Sequence, residues 1–383
     1  MNRINQLTEI DHSGKPYIIY KSQKGFDLYT DFSKKIILNK KNIKSFLNKK
    51  NKRNLKDTDL FIGFFGYELL NNLIDIKVPN QANLSFPKGI FYKPETKIKL
   101  SNKLKYSKKS FKSGRFKINI NKKTYTNIFN KFKKKIKSGE TYQIKICTKY
   151  KTKSEINPLD FFSRLSSTNL APEAFMIKDN NYSIISCSPE NLITKKGTDI
   201  STKPIAGTVK KTKHLNKKKA LSYFRKNLKE TKEHNMIVDM ERNDLSRICK
   251  IGSVKLSKQK IVEEYKDLFH YVSLIKGKLK KNISNLEIIK AMMPGGSVIG
   301  CPKINTLNLL NNQEKENRNI YTGSFGYIKF NGDMRFNIII RSILNFKNIS
   351  EISVASGVVV DSNANHEFNE NFIKAKALID LFK

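Results

Sequence analysis

Acidic side chains are scarce in this chain: 33 Asp and Glu stand against 74 Lys and Arg in 383 residues, for a formal net charge of +41. Such an imbalance points first to a nucleic-acid partner. The lysines, however, run through every segment (KKIILNKKNIK, NKFKKKIK, HLNKKKA, GKLKKN) in company with Asn and Ile. That joint bias is what an AT-rich genome imposes on any protein, and no nucleic-acid partner is expected. Cysteine is scarce too. Cys147, Cys187, Cys249 and Cys301 have no CxxC pairing or zinc spacing, which argues against a disulfide framework and a metal–thiolate cluster. No run of about 18 apolar residues is present to span a bilayer, and MNRINQLTEIDHSGKPY contains no apolar signal-peptide core. The expectation is a cytoplasmic protein with no membrane partner. Internal repeats, low-complexity linkers and the GxxxxGK[ST] phosphate loop are likewise missing.

The chain does have enough apolar residues, 38%, for a large core. The first fifty residues are lysine-rich and weakly patterned. DLFIGFFGYELL, from Asp59 to Leu70, is the first segment that reads as buried, a strand ending in a glycine turn. Tyr125, Ile128, Phe129, Phe132 and Ile136 share one helical face that stops at Gly139. YQIKICTKY, NYSIISCS, NLITKK, FNIIIRSIL and EISVASGVVV read as strands. LNKKKALSYFRKNLKETKEHNMIVDM and HEFNENFIKAKALIDLF read as long helices. Without regular βαβ alternation, the pattern predicts an α+β fold with large, mainly antiparallel sheets. Residues 1–115 form an N-terminal elaboration that contributes to the sheet core, and residues 116–383 form the catalytic unit.

Against the lysine background, two helices carry acidic pairs at i, i+3: Glu230 with Glu233, and Glu367 with Glu370. Each pair shares a face, and the four carboxylates together offer the oxygen-only ligation that suits magnesium. The plainer alternative is that they pair with nearby lysines on exposed surfaces. Glu190, in CSPEN, follows a proline at the end of an apolar strand, where burial can raise a carboxyl pKa enough for general acid work. TKPIAGT and MMPGGSVIGCPKIN are glycine-rich loops, the second running into a helix near Pro302, so their backbone N–H groups can hold an anion.

Taken in order, GFFGYE, YQIKICTKY, SPEN, PIAGT, EHNMIVDMERNDLSRIC, HYVSLIKG, PGGSVIGCPK, YTGSFGY, FNIIIRS and VVVDSNANHEFNENFIKAKA resemble the chorismate-utilising enzymes. That family comprises component I of anthranilate synthase, component I of aminodeoxychorismate synthase, and the isochorismate and salicylate synthases. The resemblance implies an anthranilate synthase component I-like fold, with antiparallel sheets forming a sandwich flanked by helices. It implies that Glu233 and Glu370 bind Mg2+ directly while Glu230 and Glu367 hold metal-bound water. Glu190 resembles the general acid for the departing C4 hydroxyl, and His270 lines the ring pocket. Tyr321, Arg341 and Lys374, with backbone N–H groups near Gly357, resemble the groups that hold the enolpyruvyl carboxylate. Thr208 and Ser297 match small polar positions of the glycine loops.

The resemblance also bears on the branch. Gln143 stands where the water-using members have a lysine base, so ammonia is the expected nucleophile. The chain shows no glutaminase cysteine with a downstream His-x-Glu, and a glutamine amidotransferase subunit is the expected partner. Pro294–Ser297 and the short N-terminal region resemble aminodeoxychorismate synthases, whereas Ala206 in PIAGT is the usual anthranilate synthase residue. The expectation is aminodeoxychorismate synthase component I, with anthranilate synthase component I as the alternative.

Overall fold

The computed structural model describes residues 3–22, 24–48, 56–76, 86–101, 104, 111–168, 171–265 and 268–383. Nineteen strands are joined edge to edge among these residues, and every pairing between them is antiparallel. The mixed α+β architecture therefore follows the sequence pattern. The strand Tyr17–Lys21 is the seam of the assembly, pairing on one side with Phe26–Ile37 and on the other with Glu173–Lys178.

Side-chain alternation at that seam separates two layers of core. Ile18 and Tyr20 face an inner core with Ile62, Phe64, Phe175 and Phe325, while Tyr17 and Ile19 pack with Phe161, Phe162 and Leu378 under helices. A slip of one residue would reverse both sets, and each fully buried side chain of this size contributes about 1.5–3 kcal/mol. A third cluster, with Phe65, Phe91 and Phe336 against Val238, Leu245 and Ile289, seats the helix Leu228–Ile248 on the outer face of the other half.

Three segments depart from the sequence reading. The weakly patterned N-terminus, expected to contribute to the sheet core with no strand placed in its first fifty residues, contains two core strands there, and YIIYK is too short to display a period among so many lysines. The long helix predicted from Leu215 is two helices, Lys217–Lys226 and Leu228–Ile248. Asn227 between them has extended backbone, and its side chain accepts a hydrogen bond from the Glu230 N–H at 3.2 Å, capping the second helix. FNIIIRSIL is likewise divided, into Met334–Ile338 and Ser342–Phe346, and Arg341 in the joint sits at φ 51°. Left-handed backbone at a bulky non-glycine residue is uncommon and concentrates at functional sites.

Candidate active site

The site is assembled on the central strand Gln143–Glu155, whose long antiparallel partner is Ile349–Val358. Gln143 and Lys145 are two residues apart and so project from one face of that strand. Gln143 Nε2 donates to Glu233 Oε1 at 2.9 Å, and Lys145 Nζ donates to the same oxygen at 3.2 Å. The Lys145 ammonium beside it brings Glu233 down to about 2, against the opposing effect of burial. Burial pulls the Lys145 pKa down, but Glu233, Glu370 and Glu190 together outweigh it, and the amine is held above its ordinary value.

Glycine makes this crossing possible. Gly357 lies opposite Lys145 in the register, and a Cβ there would sit 2.8 Å from both Gln143 Nε2 and Lys145 Nζ. At Gly207 a Cβ would meet Glu230 Oε2 at 2.9 Å, and the positive φ of 93° also favours glycine.

On the C-terminal helix Ala364–Ile379, Asn363 caps the first turn with its side chain. Glu367 is buried, while Glu370 is half-exposed and accepts from Lys374 at 2.7 Å. Lys374 Nζ also donates to the Ala355 carbonyl at 2.9 Å. His366, Glu367 and Glu370 have ligand atoms within 4.8 Å of one another. Glu230 and Glu233 stand outside that group. The charges of Glu233 and Glu370 both act on Lys145, each raising its pKa. Glu367 and Glu370 offer carboxylate oxygens, hard ligands of the kind magnesium takes, and Glu233 is the carboxylate on the other helix that could join Glu370 in holding it.

Glu190 lies in the turn between the strands Tyr182–Ser188 and Asn191–Lys196. Ser297 donates to its Oε1 at 2.7 Å, and the backbone carbonyl accepts from Ile338 N–H at 3.1 Å. Burial raises the carboxyl to about 7, and the Ser297 hydrogen bond with the Lys145 charge limits the rise. A group poised there is a competent acid at neutral pH. Turnover limited by its proton should fall as pH rises through about 7, since the carboxyl then ionises. A pH–rate profile that keeps this limb in Glu190→Gln would assign it to another group.

His270, on the strand Leu268–Lys278, is buried with Nδ1 2.8 Å from Thr208 Oγ1. Burial, then the charge of Arg341, brings the ring down to about 4, so it is neutral at physiological pH. Arg341 is partly buried, and desolvation lowers its pKa against the opposing effect of Cys187 and Glu190. Tyr321 is buried against Cys147, Ala355 and Ile340, with the Arg318 guanidinium 5.9 Å from its ring. The structure thus links Glu190 with Ser297, Thr208 with His270, Gln143 with Glu233, and Lys374 with Glu370.

Two features went unread in the sequence. Lys145 was hidden among 74 basic residues, although its i, i+2 relation to Gln143 was the available signal. A second buried group, Glu241, Asp244 and Lys303, lies beneath the glycine loop, with Lys303 Nζ 2.6 Å from Asp244. Burial and Asp244 raise the Glu241 pKa, and Glu190 adds to the rise.

Residues 7–380 match the model of the chorismate binding enzyme family. The chain belongs to that family. Within it, the chain is 35% identical over 255 residues to aminodeoxychorismate synthase component 1 of Bacillus subtilis, covering 66% of this chain and 54% of that protein. It is 32% identical over 372 residues to anthranilate synthase component 1 of Buchnera aphidicola, covering 85% of this chain and 71% of that one. The Buchnera protein apart, the chain spans about half the length of the curated relatives it matches. Its fold is that of anthranilate synthase component I from Streptococcus pneumoniae, with TM-score 0.76 at 24% identity over 94% of this chain and 89% of that one. The menaquinone-specific isochorismate synthase of Escherichia coli shares it, with TM-score 0.76 at 16% identity over 96% and 89%. Among the described residues no helix is long and apolar enough to cross a membrane.

Proposed function

We propose that the chain is the chorismate-aminating component I of an aminodeoxychorismate synthase, taking ammonia from a glutamine amidotransferase subunit. The observation that carries the chemistry is Glu190, buried, hydrogen-bonded by Ser297 and raised to about 7. Hydroxide is a poor leaving group, and a carboxylic acid at that position supplies the proton that lets the C4 hydroxyl depart as water. Magnesium bound at Glu233 and Glu370 would neutralise the ring carboxylate. Arg341 and Lys374 offer cations for the enolpyruvyl carboxylate, the arginine as a planar fork.

Nitrogen rather than oxygen is the favoured nucleophile because the site offers water no lysine base. Gln143 is an uncharged amide, and Lys145 is held as a cation by three carboxylates. In the proposed sequence a nucleophile adds at C2, both ring double bonds shift by one position towards C4, and the C4 hydroxyl leaves with the Glu190 proton. Ammonia then adds at C4 as the C2 group departs, giving 4-amino-4-deoxychorismate. Ala206 is buried and carries no amine, so a free nucleophile must serve at C2.

Ala206 also supports the second reading, anthranilate synthase, in which nitrogen stays at C2 and pyruvate is lost. Chorismate with ammonium distinguishes the two. The proposed reaction releases no pyruvate until an aminodeoxychorismate lyase is added, and direct release of fluorescent anthranilate with pyruvate would establish the alternative. Glutamine should replace ammonium only when an amidotransferase subunit is present.

A further inference from the structure

Each carboxylate proposed to hold magnesium is already matched to a lysine, but the two lysines differ in kind. Lys374 is on the same helix as Glu370, four residues on, and its side chain is 42% exposed. A pair of that geometry is screened by solvent and weak. Lys145 reaches Glu233 from the opposing strand, with its side chain only 14% exposed. Its backbone is fixed on both sides: its N–H donates to the Ile299 carbonyl at 3.0 Å, and its own carbonyl accepts from Arg318 Nη2 at 3.1 Å. The missing side chain at Gly357 leaves the channel through which the amine passes. Its placement is built by packing rather than left to a flexible surface arm.

We propose that Lys145 is a resident cation of the carboxylate cluster, competing with magnesium for Glu233 and Glu370. The inference rests on the reading of those two residues as the magnesium ligands. The ammonium offsets the repulsion between carboxylates on the two helices, so the cluster is stable without a divalent ion. The same positive charge opposes the approach of a second cation in a place where screening is poor. Magnesium affinity is thereby lowered, and the metal binds best when chorismate adds the negative charge of its own carboxylates.

Calorimetric titration with magnesium chloride alone tests this on the full chain. Lys145→Met should bind magnesium about tenfold more tightly or better than the unaltered chain, because a fixed charge of this kind shifts binding by more than about 1.4 kcal/mol when partly buried. Lys145→Arg keeps the charge and should stay within about threefold of the unaltered chain, and Lys374→Met should change affinity less than Lys145→Met does. In chelator Lys145→Met should melt at a lower temperature than the unaltered chain and recover on adding magnesium. Lys145→Gln removes the charge while keeping a donor for Glu233, and repeats the test if the methionine variant folds poorly. Equal or weaker magnesium binding in Lys145→Met and Lys145→Gln, with binding abolished by Glu233→Gln, would overturn the competition and leave the metal assignment standing. Undiminished binding in both Glu233→Gln and Glu370→Gln would overturn the metal assignment itself, and the competition with it.

Discussion

Replacing Glu233 or Glu370 by glutamine should reduce turnover of chorismate to background while leaving the fold intact. Loss of groups that merely orient a metal ligand commonly costs 10–100-fold in affinity or activity, so loss of a charged ligand should exceed about 100-fold. Magnesium tolerates poor coordination badly, and a neutral amide is a weak substitute for a carboxylate. The two variants are not equivalent in stability. Glu233 lies against the partly buried Lys145, so its removal strands a charge, whereas the Lys374 partner of Glu370 is exposed. Glu233→Gln should therefore lower the melting temperature more than Glu370→Gln. Full activity of either variant in excess chelator would remove these residues from the metal site.

Glu190→Gln should lower kcat by about 10²–10⁴-fold with little change in KM, the signature of a group that acts in the transition state. Glutamine fills the same volume and can still meet the Ser297 hydroxyl, so binding of chorismate should survive. The protein should also gain in one respect. A carboxyl raised to about 7 from an ordinary value of 4.5 favours the folded state fully below the lower pH, and that contribution is lost as pH rises through the upper one. Above pH 7 the folded chain holds a buried carboxylate, and Glu190→Gln should then be the more heat-resistant of the two. A kcat loss below about tenfold would mean that the proton comes from another group.

Much of this site was legible because its parts are local. Glu190 follows a proline at a strand end, the acidic pairs repeat at helical spacing, and the glycine loops announce close backbone approach. The antiparallel α+β fold followed from strands and helices in irregular order. What could not be read depended on contacts between distant segments. Lys145 looks like any other lysine until Gly357, more than two hundred residues away, is laid opposite it. The break at Asn227 is set by a capping bond that competes with a continuous helical pattern. Nor does FNIIIRSIL show its joint, since Arg341 takes a left-handed backbone that no hydrophobic period encodes. The N-terminal region is legible as a contributor to the sheet core, but not its individual strands, because YIIYK acquires its partners only in three dimensions.

That last strand has a consequence in time. Ile18 pairs across to Ile177, and Tyr20 to Phe175, so one edge of this strand has no neighbour until some 155 residues later in synthesis. At about 5–20 residues per second, that is an interval of roughly eight to thirty seconds. During it the nascent chain presents an open, apolar edge, the kind of surface that pairs with other chains. Yield in the cell should therefore respond to translation speed and to chaperones more sharply than the melting temperature of the finished protein would suggest.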